Sequence, residues 1–148
     1  MLENTLLVIK PDAVEKKLVG EIIKTLENEF DIIGIKLTRL NIQQAEDFYA
    51  IHKGKEFFAG LVEFMTSGPV VAILLQGENI QERLRKFVGA TDPKKAEKET
   101  IRAKYGSSVQ YNAVHASNPL ENPEQEMAFY FPEYFIDNNT QDSKINRK

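Results

Sequence analysis

The chain has 148 residues, 42% apolar and 28% charged, with a net charge of −3, which is the size and make-up of one soluble domain around one core. That charge gives no global field to draw the chain to nucleic acid or an anionic membrane, so any anion site must be built locally. Without cysteine there is no disulfide and no thiolate–metal site, and neither residues 1–9 nor the longest apolar run, 70–75, suits a signal peptide or a membrane span, so a cytoplasmic protein is expected.

Residues 5–9 form an apolar run that stops at Lys10-Pro11-Asp12, the pattern of a buried strand ended by proline. Residues 18–30 place Val19, Ile22, Ile23, Leu26 and Phe30 at helical spacing. Residues 32–42 are rich in Ile, Leu and Thr, with Gly34 inside, and read as a second strand. Two short amphipathic helices are expected over 43–51 and 56–65, broken at Lys53-Gly54-Lys55. After a turn at Ser67-Gly68-Pro69, residues 70–75 read as a fully buried strand. Residues 79–88 read as a helix with Leu84, Phe87 and Val88 inward. The lysine-rich stretch 92–98 reads as a surface loop, 112–115 as a short edge strand, and 124–131 as a helix that Pro132 stops. This order predicts an α+β, ferredoxin-like split βαβ sandwich: a four-stranded antiparallel sheet with helices packed on it. A single domain over 1–136 is expected, with 137–148 as a polar, loose tail.

His115, one of two histidines, stands among small or uncharged neighbours, so nothing beside it in sequence ties up its ring. A neutral imidazole is a competent nucleophile and proton carrier near pH 7. Taken alone, such a histidine is more often a packed or solvated side chain. Three cations recur at element ends: Lys10, Arg85 and Arg102. A single Lys or Arg is usually a solvated charge, but three that converge make a clamp for a polyphosphate. Tyr49, Thr91 and Asn112 offer hydrogen bonds, although a helical tyrosine is usually a packing residue and a threonine before Asp-Pro a turn residue. Glu126 lies 11 residues past His115 and could return to orient its ring. There is no Gly-x-x-x-x-Gly-Lys-Ser/Thr loop and no Gly-x-Gly-x-x-Gly after a strand, so phosphate must be held by side chains. No His/Asp/Glu cluster has ligand spacing, so no dedicated metal site is expected.

Several blocks occur in order: Ile9-Lys10-Pro11-Asp12, Val19-Gly20-Glu21-Ile22, Phe57-Phe58-Ala59-Gly60-Leu61-Val62, Thr66-Ser67-Gly68-Pro69-Val70-Val71, Gly89-Ala90-Thr91, Thr100-Ile101-Arg102 and Asn112-Ala113-Val114-His115-Ala116-Ser117. Over residues 5–131 the chain resembles the nucleoside diphosphate kinases, and Phe48-Tyr49-Ala50-Ile51-His52 leans to the bacterial members. The resemblance implies transfer of a γ-phosphoryl group from a nucleoside triphosphate to a nucleoside diphosphate, ping-pong, through a phosphohistidine at His115. It implies that Lys10, Arg85 and Arg102 neutralise phosphate oxygens, that Thr91 bonds a phosphate, and that Tyr49 sits beside the transferring group. Lys10 and Asn112 would hold ribose hydroxyls, and Phe57 and Val109 would face the base, with little base specificity. Glu126, with Ser117, would orient the His115 ring. Mg²⁺ would arrive on the nucleotide, with no metal held by the protein alone. A homotetramer is favoured, a homohexamer being the other assembly.

The sequence departs from the family in two places. Many members continue His-x-Ser with Asp-Ser, where this chain has Asn118-Pro119, and many carry Pro-Gly before Thr-Ile-Arg, where it has Lys98-Glu99. The first change removes a charge that would steady Mg²⁺, and the second gives the loop 92–99 another path.

Two local expectations follow. Residues three apart point to opposite faces of a regular strand, so Asn112 and His115 can share a site only if the backbone bends between them. The Glu126 helix should be capped by Asn122, with 118–121 a turn, because a start after Asn118 would bury Pro123 inside the helix at about 3 kcal/mol. The competing functions are a nucleotide-binding regulatory module without turnover and a single-strand nucleic-acid binder using Phe57 and the lysines of 92–98. Net charge −3 and scattered aromatics argue against the latter.

Overall fold

A computed structural model describes residues 1–139, with side chains to Phe135. Its four strands are β1 (Leu2–Ile9), β2 (Asp31–Thr38), β3 (Val70–Glu78) and β4 (Val114–Ala116). They form one antiparallel sheet in the order β2-β3-β1-β4. That order is the expected ferredoxin-like split βαβ.

The alternation of side chains explains why the central strands read as continuous apolar runs. In β1, Leu7 and Ile9 enter one core and Leu6 and Val8 the other; in β3, Val71, Ile73 and Leu75 oppose Val70, Ala72 and Leu74. The first face is covered by α2 (Val19–Glu27), through Ile22 and Leu26, and by α5 (Ile80–Val88), through Ile80, Leu84 and Val88. Phe87 packs against that core without being fully buried. The second face is covered by α3 (Ile42–Phe48), α4 (Phe58–Met65) and α7 (Pro123–Tyr130).

Several boundaries differ from the sequence reading. β1 starts at Leu2, so it is longer than 5–9, and β3 runs on to Glu78. β2 ends at Thr38 rather than 42 because Asn41 and Gln44 form a reciprocal capping box that starts α3. The first of the two paired helices closes as a 3-10 turn, Ala50–His52, before the break at Gly54.

Three helices were not anticipated. α1 (Pro11–Glu15) follows the proline that ends β1, because proline suits a first helical position. α6 (Ile101–Tyr105) starts at Thr100, whose side chain accepts the Ala103 N–H. Pro132 does not merely stop α7; it is the first residue of α8 (Pro132–Asn139). Residues 137–139 of the expected loose tail are therefore helical, and 140–148 lie outside the described residues.

α7 does begin at Pro123 after Asn122, with residues 118–121 a turn closed by the Glu121 N–H on the Asn118 carbonyl at 2.9 Å. The capping differs in kind. Asn122 is left-handed, at φ 56, and its side chain donates to Gln125 Oε1 at 2.6 Å instead of accepting a helix N–H.

Candidate active site

The site grows from one edge of the sheet. β4 pairs with β1, His115 opposite Val8. Alternation buries Val114 and Ala116 in the first core and turns His115 to the other face, where the rings of Phe48 and Tyr49 meet it edge-on at 5.4 and 5.9 Å. The expected strand 112–115 is therefore shifted, because the backbone bends at its start. The Val114 N–H donates to the Asn112 carbonyl at 2.9 Å, a γ-turn, with Ala113 at φ 76. A non-glycine residue there costs about 1–3 kcal/mol and needs support. The Ala113 N–H donates to Asp12 Oδ2 at 3.1 Å, and the Ala113 carbonyl accepts the Lys10 N–H at 2.9 Å. The turn after β1 thus clamps the bend that lets Asn112 and His115 face one cleft.

His115 Nε2 lies 3.0 Å from Glu126 Oε1, and Ser117 Oγ donates to the same oxygen at 2.5 Å. A carboxylate at Nε2 holds the ring N–H there, and whenever the ring is neutral the lone pair is left on Nδ1. Burial pushes the Glu126 carboxyl up. Hydrogen bonds from His115 and Ser117, with the His115 charge, outweigh that and leave its pKa lowered.

Lys10 is almost fully buried, and its Nζ donates to Asn112 Oδ1 at 2.9 Å. Burial, then the Arg102 charge, lowers the Lys10 pKa to about 8, against a smaller pull from Asp12. Arg102 donates Nη1 to the Gly89 carbonyl at 3.0 Å and Nη2 to the Val114 carbonyl at 2.9 Å. Gly89, at φ 96, leaves no room for a side chain: a Cβ there would lie 2.5 Å from Thr100 Oγ1. Burial, then Arg85, lowers the Arg102 pKa to about 10, so it stays charged near neutrality. The Nε of Arg102 and the hydroxyl of Tyr49 are buried without a partner among the described residues.

These side chains open on one cleft of about 520 Å³. It brings together Lys10, Tyr49, Phe57, Arg85, Thr91, Arg102, Val109, Asn112 and His115, every site residue expected from sequence except Glu126 and Ser117, which are bonded to each other, with Glu126 holding His115. Phe57 and Val109, 51% and 57% exposed, stand in its lining. The loop 92–98 is irregular, as expected, with Pro93 buried.

The chain matches the nucleoside diphosphate kinase family over residues 3–136. It belongs to that family. A nucleoside diphosphate kinase of Anaeromyxobacter dehalogenans is 49% identical over 133 residues, 89% of this chain and 90% of the relative. One from Helicobacter pylori is 49% identical over 132 residues, 88% and 96% of the two chains. The fold superposes on the Aquifex aeolicus nucleoside diphosphate kinase with a TM-score of 0.84 at 41% identity, covering 88% of this chain and 96% of that one. It superposes on the Halobacterium salinarum kinase solved in complex with CDP with a TM-score of 0.85 at 37% identity, covering 88% of each chain.

The cleft also holds Asn118, noted in the sequence as a departure from the family, and residues given no role from the sequence: His52, Leu61, Gln110, Ala116 and Glu121. Helical spacing could have found two of them. His52 follows Tyr49 by three residues, with rings stacked at 6.5 Å, and Leu61 follows Phe57 by four. Asp12, which clamps the Ala113 bend, carried no signal beyond its place after proline.

Proposed function

We propose that this chain transfers the γ-phosphoryl group of a nucleoside triphosphate to a nucleoside diphosphate, ping-pong, through a phosphohistidine on His115. The observation that carries this is the Glu126 carboxylate on Nε2, which leaves Nδ1 as the nucleophilic nitrogen in a cation-lined cleft. Nδ1 attacks the γ-phosphorus, the N–P bond forms, and the bond from that phosphorus to the β-bridging oxygen breaks. The diphosphate leaves with the bonding pair. The second half-reaction reverses these steps on a new diphosphate.

Glu126 keeps the proton on Nε2 and stabilises the positive ring that forms on attack. Lys10, Arg85 and Arg102 take up the charge that spreads over the phosphate oxygens. Thr91 and the Tyr49 hydroxyl supply hydrogen bonds to the transferring end. Lys10 and Asn112 hold the ribose hydroxyls, and Phe57 and Val109 face the base. These are apolar faces rather than a donor–acceptor code, so base discrimination is low. The halophilic relative solved with CDP is consistent with a site that takes a pyrimidine nucleotide.

Among the described residues no group of three His, Cys, Asp or Glu could hold a metal. In this reading Mg²⁺ arrives on the nucleotide phosphates, where it would supply charge neutralisation. The same reading includes a cytoplasmic homotetramer, with a homohexamer as the other assembly. Exposed Ile35 and Leu37 on edge strand β2 offer apolar surface for it.

Steady-state kinetics with ATP and a second nucleoside diphosphate test the proposal. Parallel double-reciprocal lines, with ATP–ADP exchange in the absence of the second diphosphate, are expected. Intersecting lines without exchange would refute the phosphohistidine. Binding without any turnover would leave the regulatory-module reading.

A further inference from the structure

Among the described residues Glu121 is the only carboxylate lining the cleft, whose other charged groups are the cations Lys10, Arg85 and Arg102. Its side chain makes no hydrogen bond or ion pair with the described residues, those three cations included. Two further acids flank the site, and each is held by a hydrogen bond to the scaffold. Glu126 binds His115 and Ser117, and Asp12 accepts the Ala113 N–H. A free carboxylate in a cleft built for phosphates repels its ligand unless a cation comes between them.

The neighbouring Asn118 does not supply that bridge. Its Oδ1 accepts the Leu120 N–H at 2.9 Å, so what remains to offer the cleft is chiefly the amide NH₂, a donor suited to a phosphate oxygen. The turn that joins the two residues, closed by the Glu121 N–H on the Asn118 carbonyl, fixes Glu121 at the cleft wall across from His52, within electrostatic reach of that ring.

We propose that Glu121 is the positioning residue for the divalent cation that enters with the nucleotide, and that it makes the cleft select the metal-bound form over the free polyanion. Mg²⁺ sites in phosphotransferases commonly take one or two carboxylates and complete their shell with phosphates and water, and Glu121 is the one available here. The proposal rests on the phosphoryl-transfer reading of the cleft.

The test is calorimetric binding of ADP to the unphosphorylated protein, with excess Mg²⁺ and with EDTA, for the parent, Glu121→Gln and Glu121→Asp. Electron paramagnetic resonance of the Mn²⁺–ADP complex provides a second readout. Glu121→Gln should weaken Mg²⁺–ADP and strengthen free ADP, so that the parent's preference for the metal form falls on the order of tenfold, the scale of one charged contact. It should also change the Mn²⁺ spectrum, and Glu121→Asp should recover part of the preference. A structural fault would weaken both forms alike. An unchanged preference, or equal losses in the two forms, would overturn the role of Glu121 while the parent still binds ADP and forms its phosphohistidine. Failure of the parent itself to bind ADP would overturn the underlying reading, and this one with it.

Discussion

The corner that holds His115 and the outer part of the same cleft are built on opposite plans. At the corner most groups are tied: His115 and Ser117 to one oxygen of Glu126, Lys10 to Asn112, Arg102 through both Nη atoms to two carbonyls, and the Ala113 bend to Asp12. Farther out, Phe57 and Val109 are half exposed, and the Arg85 side chain makes no hydrogen bond or ion pair with the described residues. Chemistry that depends on a few tenths of an ångström is placed where the scaffold over-determines position. Recognition that must accept several bases is left to faces that can adapt. Damage to the corner should therefore cost rate, and damage to the rim should cost affinity.

His115→Ala should remove transfer by about 10⁴-fold or more, as loss of a nucleophile does, while ATP binding stays within about tenfold. Retention of a tenth of the parent rate would exclude the covalent route. Next in size is Glu126→Gln, which keeps a hydrogen-bonding side chain but loses the charge. kcat should fall on the order of 10²-fold with KM for ADP little changed. A matched rise in KM would place Glu126 at the rim instead.

Phe57→Ala should cost about 1–3 kcal/mol in kcat/KM, the worth of one stacked base, mostly through KM. Among the four common diphosphates kcat/KM should vary by no more than about 1–2 kcal/mol, and a thousandfold spread would reveal a reader of base edges.

The smallest effect is a pH dependence. Lys10 has its pKa lowered from 10.5 to about 8 by burial and then Arg102. In the window from about 8 to 10.5 the unfolded chain binds more protons than the folded one, so this group makes stability rise with pH there. Phosphate needs the charged form, so ADP affinity should fall about tenfold between pH 7 and 9 as stability gains. Calorimetry and thermal melts over the same pH series should show the two trends diverging, and parallel trends would mean that Lys10 does not meet the phosphates.

The division between corner and rim also marks what sequence could reveal. Ile9-Lys10-Pro11-Asp12 and the block around His115 were legible because their residue types are scarce and chemical. The need for a bend between Asn112 and His115 followed from strand geometry alone. Its agent, Asp12, did not, because a contact between residues 101 apart leaves no local pattern. α1, α6 and α8 are five to eight residues long, with proline or threonine starts that serve turns equally well, and tertiary packing decides such segments. Glu121 reads as a solvated acid until the 118–121 turn sets it in the cleft wall.

The most direct measurement is to load the protein with the γ-phosphoryl group of ³²P-labelled ATP, remove nucleotide, and locate the label. The account predicts acid-labile, alkali-stable label on the peptide carrying His115, chased off by any nucleoside diphosphate. It predicts a ³¹P resonance of the Nδ1-phosphohistidine isomer, because Glu126 holds Nε2. Protein that stays unlabelled, or label on Nε2 or on another residue, would contradict it.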